Sequence, residues 1–300
     1  MKVRAWFNVM CLGRVPLSEK VENGLVVSLT SYGDRVTNNS VSYALYSLLT
    51  QRVRAEHTVL WLEQEKYADD TLPPMLRRLQ KHGVEVRYCP NWRSYKKLLP
   101  TLMHYPGYDV VTADDDLYYS ASHLEELIRA HRQHPHAVIV QGMRVPVTGA
   151  DGLPSPYRQW KTFKHVPGSF EYNHYLAVPL GGYGAYYPSG IFVDDEVLNY
   201  NVISQLCPYA DDLWFYVMGL RKHIRKEHVR NAKSAAYELD LVRQHFHRDR
   251  LYAINVGNDE NDAQLNRILD HYHLHLSDFM SASARSECEA NSKSSTTGSE

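Results

Sequence analysis

The chain has 300 residues, 44% of them hydrophobic and 22% charged, enough apolar material for a full-sized core. A formal net charge of -1 excludes the basic excess of a nucleic-acid binder, and no run of about 18 apolar residues marks a membrane span. The 4 Cys form no C-x-x-C pair, so they offer no zinc motif and read as reduced cytoplasmic thiols.

Basic residues precede an apolar stretch at the start, but Asn8 interrupts it and Arg14 follows without a small-x-small cleavage site. Residues 1–23 therefore read as an N-terminal extension of a cytoplasmic protein, compatible with peripheral contact at the inner face of the cytoplasmic membrane. Residues 24–280 read as one domain and 281–300, rich in Ser and Thr without aromatics, as a disordered tail. Short β-branched and apolar runs predict strands at Gly24–Thr30, His57–Leu62, Val84–Tyr88, Tyr108–Ala113 and Ala137–Gln141. Between them lie helical patterns at Ser40–Gln51, Pro73–His82, Tyr95–Met103 (with Pro100 as an interruption) and Ser122–Gln133. Ser122 is the expected N-cap of the last, with Glu125 at the capping-box position. Alternating strands and helices predict an α/β fold: a mostly parallel open sheet with helices on both faces and ligands at the carboxyl ends of its strands. Residues 142–190, rich in Pro, Gly, Tyr and Trp, show little periodicity and read as a long functional loop. Helices follow at Asp211–Leu220 and Asn261–His271.

The acidic triplet Asp114-Asp115-Asp116 directly follows the fourth strand. Three adjacent carboxylates repel one another and suit a hard divalent cation, Mn2+ or Mg2+, bridging to a diphosphate. Residues two apart share a direction in an extended chain, so Asp114 and Asp116 are the expected metal ligands, and Asp115 the contact to a ribose or the support of the turn. The competing reading is a solvated acidic turn. At the end of the first strand, Thr30, Ser31 and Tyr32 offer groups for a nucleoside and Arg35 for a phosphate, or else form a polar turn around Gly33. Tyr95, Lys96 and Lys97 open a predicted helix and can meet an anion there; a solvated basic face is the alternative.

Gly182, Tyr183 and Gly184 read as an acceptor-binding loop whose glycines admit close approach of a ligand, or as a tight turn before a strand at Ala185–Tyr187. Asp211 and Asp212 open a helix, where they can cap it or supply a general base, and Trp214 beside them suits a sugar face. His245 and His247 alternate before Arg248; His247 is a candidate further metal ligand, although magnesium-type sites prefer oxygen. The basic stretch from Arg221 to His228 reads as a solvated helix end or an anionic-surface contact.

Taken in order, V-S-L-T-S-Y, S-Y-K-K-L-L-P, T-A-D-D-D-L-Y-Y, G-G-Y-G-A-Y-Y-P and C-P-Y-A-D-D-L-W resemble bacterial glycosyltransferases of the family 2 type with the GT-A fold, a group associated with capsule, O-antigen and lipopolysaccharide synthesis. The resemblance spans roughly residues 24 to 270. It implies a Rossmann-like nucleotide-sugar half at 24–141, an acceptor and catalytic half at 142–280, and inverting transfer from a nucleotide-diphosphate sugar, a UDP-sugar foremost, to a glycan or lipid-linked glycan. It further implies metal and donor binding at Asp114 to Asp116, nucleotide contact at Thr30, Ser31, Tyr32 and Arg35, and a base at Asp211 or Asp212. The Asp-Asp pair departs from the more frequent Glu-Asp, and the family's Pro after the first strand is absent, which marks a divergent branch. A sugar-phosphate nucleotidyltransferase would share the sheet and the metal, but only Gly33 stands where a Gly-rich phosphate loop is needed. A non-catalytic carbohydrate-binding protein would account for the tyrosines but not for two acidic sites.

Overall fold

The computed structural model describes residues 10, 17–149, 153–192, 194–239 and 260–280. Its strands in chain order are β1 (Val21–Thr30), β2 (Arg54–Glu63), β3 (Val84–Cys89), β4 (Asp109–Thr112), β5 (Leu117–Tyr119), β6 (Val138–Val140), β7 (Met143–Val145), β8 (Lys161–Phe163), β9 (Val178–Pro179), β10 (Ala185–Tyr187), β11 (Lys226–His228) and β12 (Ala236–Glu238). Seven of them form one sheet in the order β11-β6-β10-β4-β1-β2-β3. Every neighbouring pair in it is parallel except the two made by β10, which runs antiparallel to both β4 and β6. The α/β expectation holds, and each of the five predicted strands is present.

Side-chain alternation explains why helices cover both faces. Along β4, β6 and β10, Val111, Ile139 and Tyr186 join the apolar cluster that takes in the helices Ser40–Leu49, Pro74–Gln80 and His123–Gln133. Their sequence neighbours Val110, Val138, Val140, Ala185 and Tyr187 point the opposite way, into a second cluster. There they meet the helices Leu99–His104, Asp211–Arg221 and Glu260–His271. A strand with helices on both sides has no solvent face, which is why these segments read as continuous apolar runs.

Three local expectations are corrected. The pattern over Tyr95–Met103 is two elements, a 3-10 turn at Arg93–Lys97 and a helix at Leu99–His104. Pro100 sits in that helix's first turn, where a missing N–H costs nothing, so it helps to start the helix rather than interrupt it. Ser122 does occupy the N-cap before His123, but its side chain makes no cap bond; its hydroxyl donates to Glu126 Oε1 at 3.3 Å instead. The aperiodic stretch after residue 142 is not one loop. It contains β7, β8 and β9 as a small antiparallel sheet, and then β10 of the main sheet. Strands of two and three residues are too short to display a period.

The basic stretch from Arg221 to His228 is likewise only half a helix end. Arg221 and Lys222 pair with Asp194 at 3.5 and 2.8 Å, whereas Lys226, Glu227 and His228 are buried as β11. No helix among the described residues is long and apolar enough to cross a membrane.

Candidate active site

Register places the site. Ser28 of β1 and Ala185 of β10 both pair with Thr112 of β4. Because β1 and β4 are parallel, Ser31 and the acidic triplet both emerge just past this level. Because β10 runs the other way, the residues leading into it, Gly181 to Gly184, arrive at the same sheet end. The helix Asp211–Arg221 is buried along its length and brings its first turn, Asp211 and Asp212, to the same place. Four segments far apart in sequence thus converge at the carboxyl ends of β1 and β4, the ligand-binding edge of such sheets.

The triplet forms the turn between β4 and β5, and its three carboxylates take different partners. Asp114, with a side chain 41% exposed, lies 3.4 Å from Lys97 Nζ through Oδ1. Asp115 is buried: Ser31 Oγ donates to its Oδ2 at 2.5 Å and Arg35 Nη1 to its Oδ1 at 2.8 Å. Arg35 also reaches Asp116 Oδ2 at 3.1 Å. Burial pushes the Asp115 carboxyl upward, against the pull of Arg35 and Ser31. Asp115 is thereby turned into the protein, tying β1's loop to the triplet, rather than toward a ribose.

Two groups that the sequence reading did not single out hold this arrangement. The fully buried Tyr119 hydroxyl accepts the Asp114 N–H at 2.7 Å and donates to the Gly182 carbonyl at 2.6 Å, pinning the acidic turn to the glycine turn. Thr112 Oγ1 donates to the Gly181 carbonyl at 3.0 Å. The signal was present, since Tyr119 closes the T-A-D-D-D-L-Y-Y run, but its partner lies 63 residues away and no local pattern predicts it. The glycines serve protein contacts as well. A Cβ on Gly182 would sit 1.9 Å from Asp114 Oδ2, and one on Gly184, whose φ is +102°, would sit 2.6 Å from His123 Nε2. Gly182 thus lets the backbone approach Asp114. Burial pushes the His123 imidazole down to about 4, so a neutral ring backs the turn.

Lys97 lies at the centre of the acidic groups. Its side chain is 9% exposed and its Nζ is 3.1 Å from Asp211 Oδ2. Burial would lower its pKa, but Asp114, Asp211 and Asp212 outweigh burial and hold the ammonium well above its ordinary value. The two members of the acidic pair differ. Asp211 is buried against Lys97, while Asp212 is only half-buried and accepts the Gly181 N–H at 3.3 Å through Oδ1. Burial first, then repulsion from Asp211 and Asp114, pushes the Asp212 carboxyl up to about 7 in spite of Lys97.

Other candidates lie elsewhere. Lys96, beside Lys97 in sequence, is buried, and burial lowers its pKa; Cys89 and Glu63, not the acidic pair, are the groups that offset this. Tyr95 is fully buried and donates its hydroxyl to the Cys207 carbonyl. Trp214 is fully buried with Nε1 donating to the Val197 carbonyl at 3.0 Å, so it packs the core and offers no face to a sugar. Thr30 donates to the Trp61 carbonyl at 2.9 Å. Tyr32 is 43% exposed, with the Arg35 guanidinium 5.7 Å from its ring centroid. Tyr183 is half-buried, with Lys164 Nζ 5.6 Å from its ring centroid. His245, His247 and Arg248 lie outside the described residues.

The donor set fits a divalent cation held jointly with a ligand. Among the described residues no group of three or more His, Cys, Asp or Glu forms a metal cage. Asp114 and Asp116 supply hard oxygens only, and a magnesium-type ion is commonly held by one or two carboxylates plus substrate phosphates.

No family model matches the chain, and no curated protein does. Among solved structures it is similar to S. aureus TarS 1-349, at 18% identity and a TM-score of 0.43, covering 84% of this chain and 72% of that one. It is also similar to a CMP:2-keto-3-deoxy-manno-octonic acid synthetase complexed with CTP (10% identity, TM-score 0.40, 72% of this chain and 91% of that one). A third is the mannosyltransferase PcManGT from Pyrobaculum calidifontis in complex with GDP-Man and Mn2+ (11% identity, TM-score 0.39, 80% and 65%). Similarity at these scores assigns no residue role to this chain.

Proposed function

We propose that the chain is a glycosyltransferase of GT-A type that moves a sugar from a nucleotide-diphosphate donor to a glycan or lipid-linked glycan, with inversion, in the cytoplasm or at the inner membrane face. The observation that carries this reading is the convergence of two acidic sites of different character at one sheet end: Asp114 and Asp116 at the end of β4, and Asp212 on a helix start, held to the Gly181 N–H. Asp114 and Asp116 would hold the Mn2+ or Mg2+, which, when bound, would stabilise negative charge on the leaving nucleoside diphosphate. Tyr32 and Arg35, the latter paired with Asp115 and Asp116, would meet the nucleoside and a phosphate. Asp212, raised to about 7, is tuned to take a proton from an acceptor hydroxyl near neutral pH. Asp211 is committed to Lys97, so Asp212 is the base and Asp211 its support. Inversion follows from direct displacement, with the base on the face opposite the leaving group.

The assignment is tested by comparing sugar transfer in Asp212→Asn and Asp211→Asn. Loss of a general base lowers kcat by about 10²–10⁴-fold, and Asp212→Asn is expected in that range with nucleotide-sugar affinity kept. Full activity in Asp212→Asn would remove the base from this account.

A further inference from the structure

Lys97 joins the two acidic sites. Its Nζ stands 3.4 Å from Asp114 Oδ1 and 3.1 Å from Asp211 Oδ2, on a side chain with 9% exposure that is enclosed by the protein. Asp114 Oδ2 faces the backbone of Gly182. The carboxylate that would ligate a divalent cation therefore already has a resident cation beside its Oδ1. Arg35 does the same for Asp116, at 3.1 Å.

We propose that Lys97 is a built-in counter-ion that competes with the divalent cation for Asp114, so that metal capture depends on the anionic nucleotide. This inference rests on the reading above that Asp114 and Asp116 hold a metal together with a nucleoside diphosphate. Two cations sharing one carboxylate repel each other at a few ångströms, and in a poorly solvated pocket that repulsion is strong. A diphosphate brings the missing negative charge: it draws on Lys97 and the metal together and removes the competition. Lys97 therefore weakens metal binding in the free protein and strengthens nucleotide binding. These effects have opposite signs, which a residue that only maintained the fold would not produce.

Free Mn2+ measured by electron paramagnetic resonance during titration tests this in the intact chain, alone and with saturating UDP, GDP or CDP. For the unaltered protein, Mn2+ affinity is expected to rise at least about tenfold with the nucleotide that binds. Lys97→Met should tighten nucleotide-free Mn2+ binding about tenfold and weaken nucleoside diphosphate binding; Lys97→Arg should keep the original pattern. Asp211→Asn removes one of the carboxylates that share Lys97 and should weaken nucleotide-free Mn2+ binding in the unaltered background more than it does in the Lys97→Met background, where no lysine is left to shift toward Asp114. A folded Lys97→Met with unchanged nucleotide-free Mn2+ affinity would overturn the inference while leaving the metal reading intact. Equal Mn2+ affinity with and without nucleotide in the unaltered protein would overturn both the inference and the reading of a metal held jointly with the diphosphate. No Mn2+ binding under any condition would overturn the metal reading itself, and this inference with it.

Discussion

Tyr119 carries more of the site than its position in the chain suggests. One phenolic oxygen satisfies the Asp114 N–H and the Gly182 carbonyl, both within the protein. Tyr119→Phe leaves those two groups without partners at a buried position, at a cost of about 1–3 kcal/mol, measurable by urea unfolding. It should also lower transfer activity, because the acidic turn and the glycine turn are no longer pinned. At Asp212 the consequence is one of pH. A base must be deprotonated to accept a proton, and this carboxyl is raised to about 7, so kcat/KM should fall as pH drops through about 7 and level off above it. A limb near the ordinary carboxylate value of about 4 would contradict the environment described here. The residue types at the site were legible because carboxylates crowded after an apolar strand are chemically conspicuous. Their division of labour was not. That Asp115 turns inward to Ser31 and Arg35 depends on partners 84 and 80 residues distant in sequence, and Asp211 is taken by a lysine more distant still.

At the level of elements, five parallel strands were legible, the antiparallel β10 only as one of two readings, and the parallel β11 not at all. Buried on both faces, β1, β2 and β4 show the uninterrupted apolar runs that mark such strands. β10 has three residues and follows a glycine turn, so Ala185–Tyr187 read equally well as the end of a loop. Its reversed direction is nonetheless what brings Gly181 and Gly182 to the acidic turn. β11 was missed for a different reason: its Lys and Glu looked like solvated charge. Lys226 is in fact fully buried, donating to the Tyr175 carbonyl at 2.8 Å with Tyr216's ring centroid 5.0 Å away, and burial pushes its ammonium down to about 7. An unfolded lysine titrates near 10.4, so between pH about 7 and 10 the unfolded chain binds one more proton than the folded one. Stability should therefore rise with pH across that window, and Lys226→Met should flatten the rise in unfolding experiments at pH 7, 8 and 9. An unchanged slope would mean that Lys226 is solvated in the folded protein.

Over the whole molecule, sheet order makes a site from segments that have no sequence proximity. β1 and β4 are neighbours at the centre of the seven strands, β10 is inserted beside β4, and two helical layers seal both faces. The result is one sheet end at which Tyr32, Arg35, Asp114, Asp116 and Asp212 gather, the edge we propose receives the nucleotide sugar. Fold class was readable from alternating strand and helix patterns because each is a local period. The place of each segment in the sheet is a tertiary choice with no period to read. The central claim is that this edge binds and activates a nucleotide-diphosphate sugar through Asp114 and Asp116. Slow transfer to water requires no acceptor, so the most direct measurement is release of free nucleoside diphosphate from UDP-, GDP- and CDP-sugars, with Mn2+ and after chelation. The account predicts release from one nucleotide series, abolished by chelation and by Asp114→Asn. Release unaffected by either change, or no release from any donor, would contradict it.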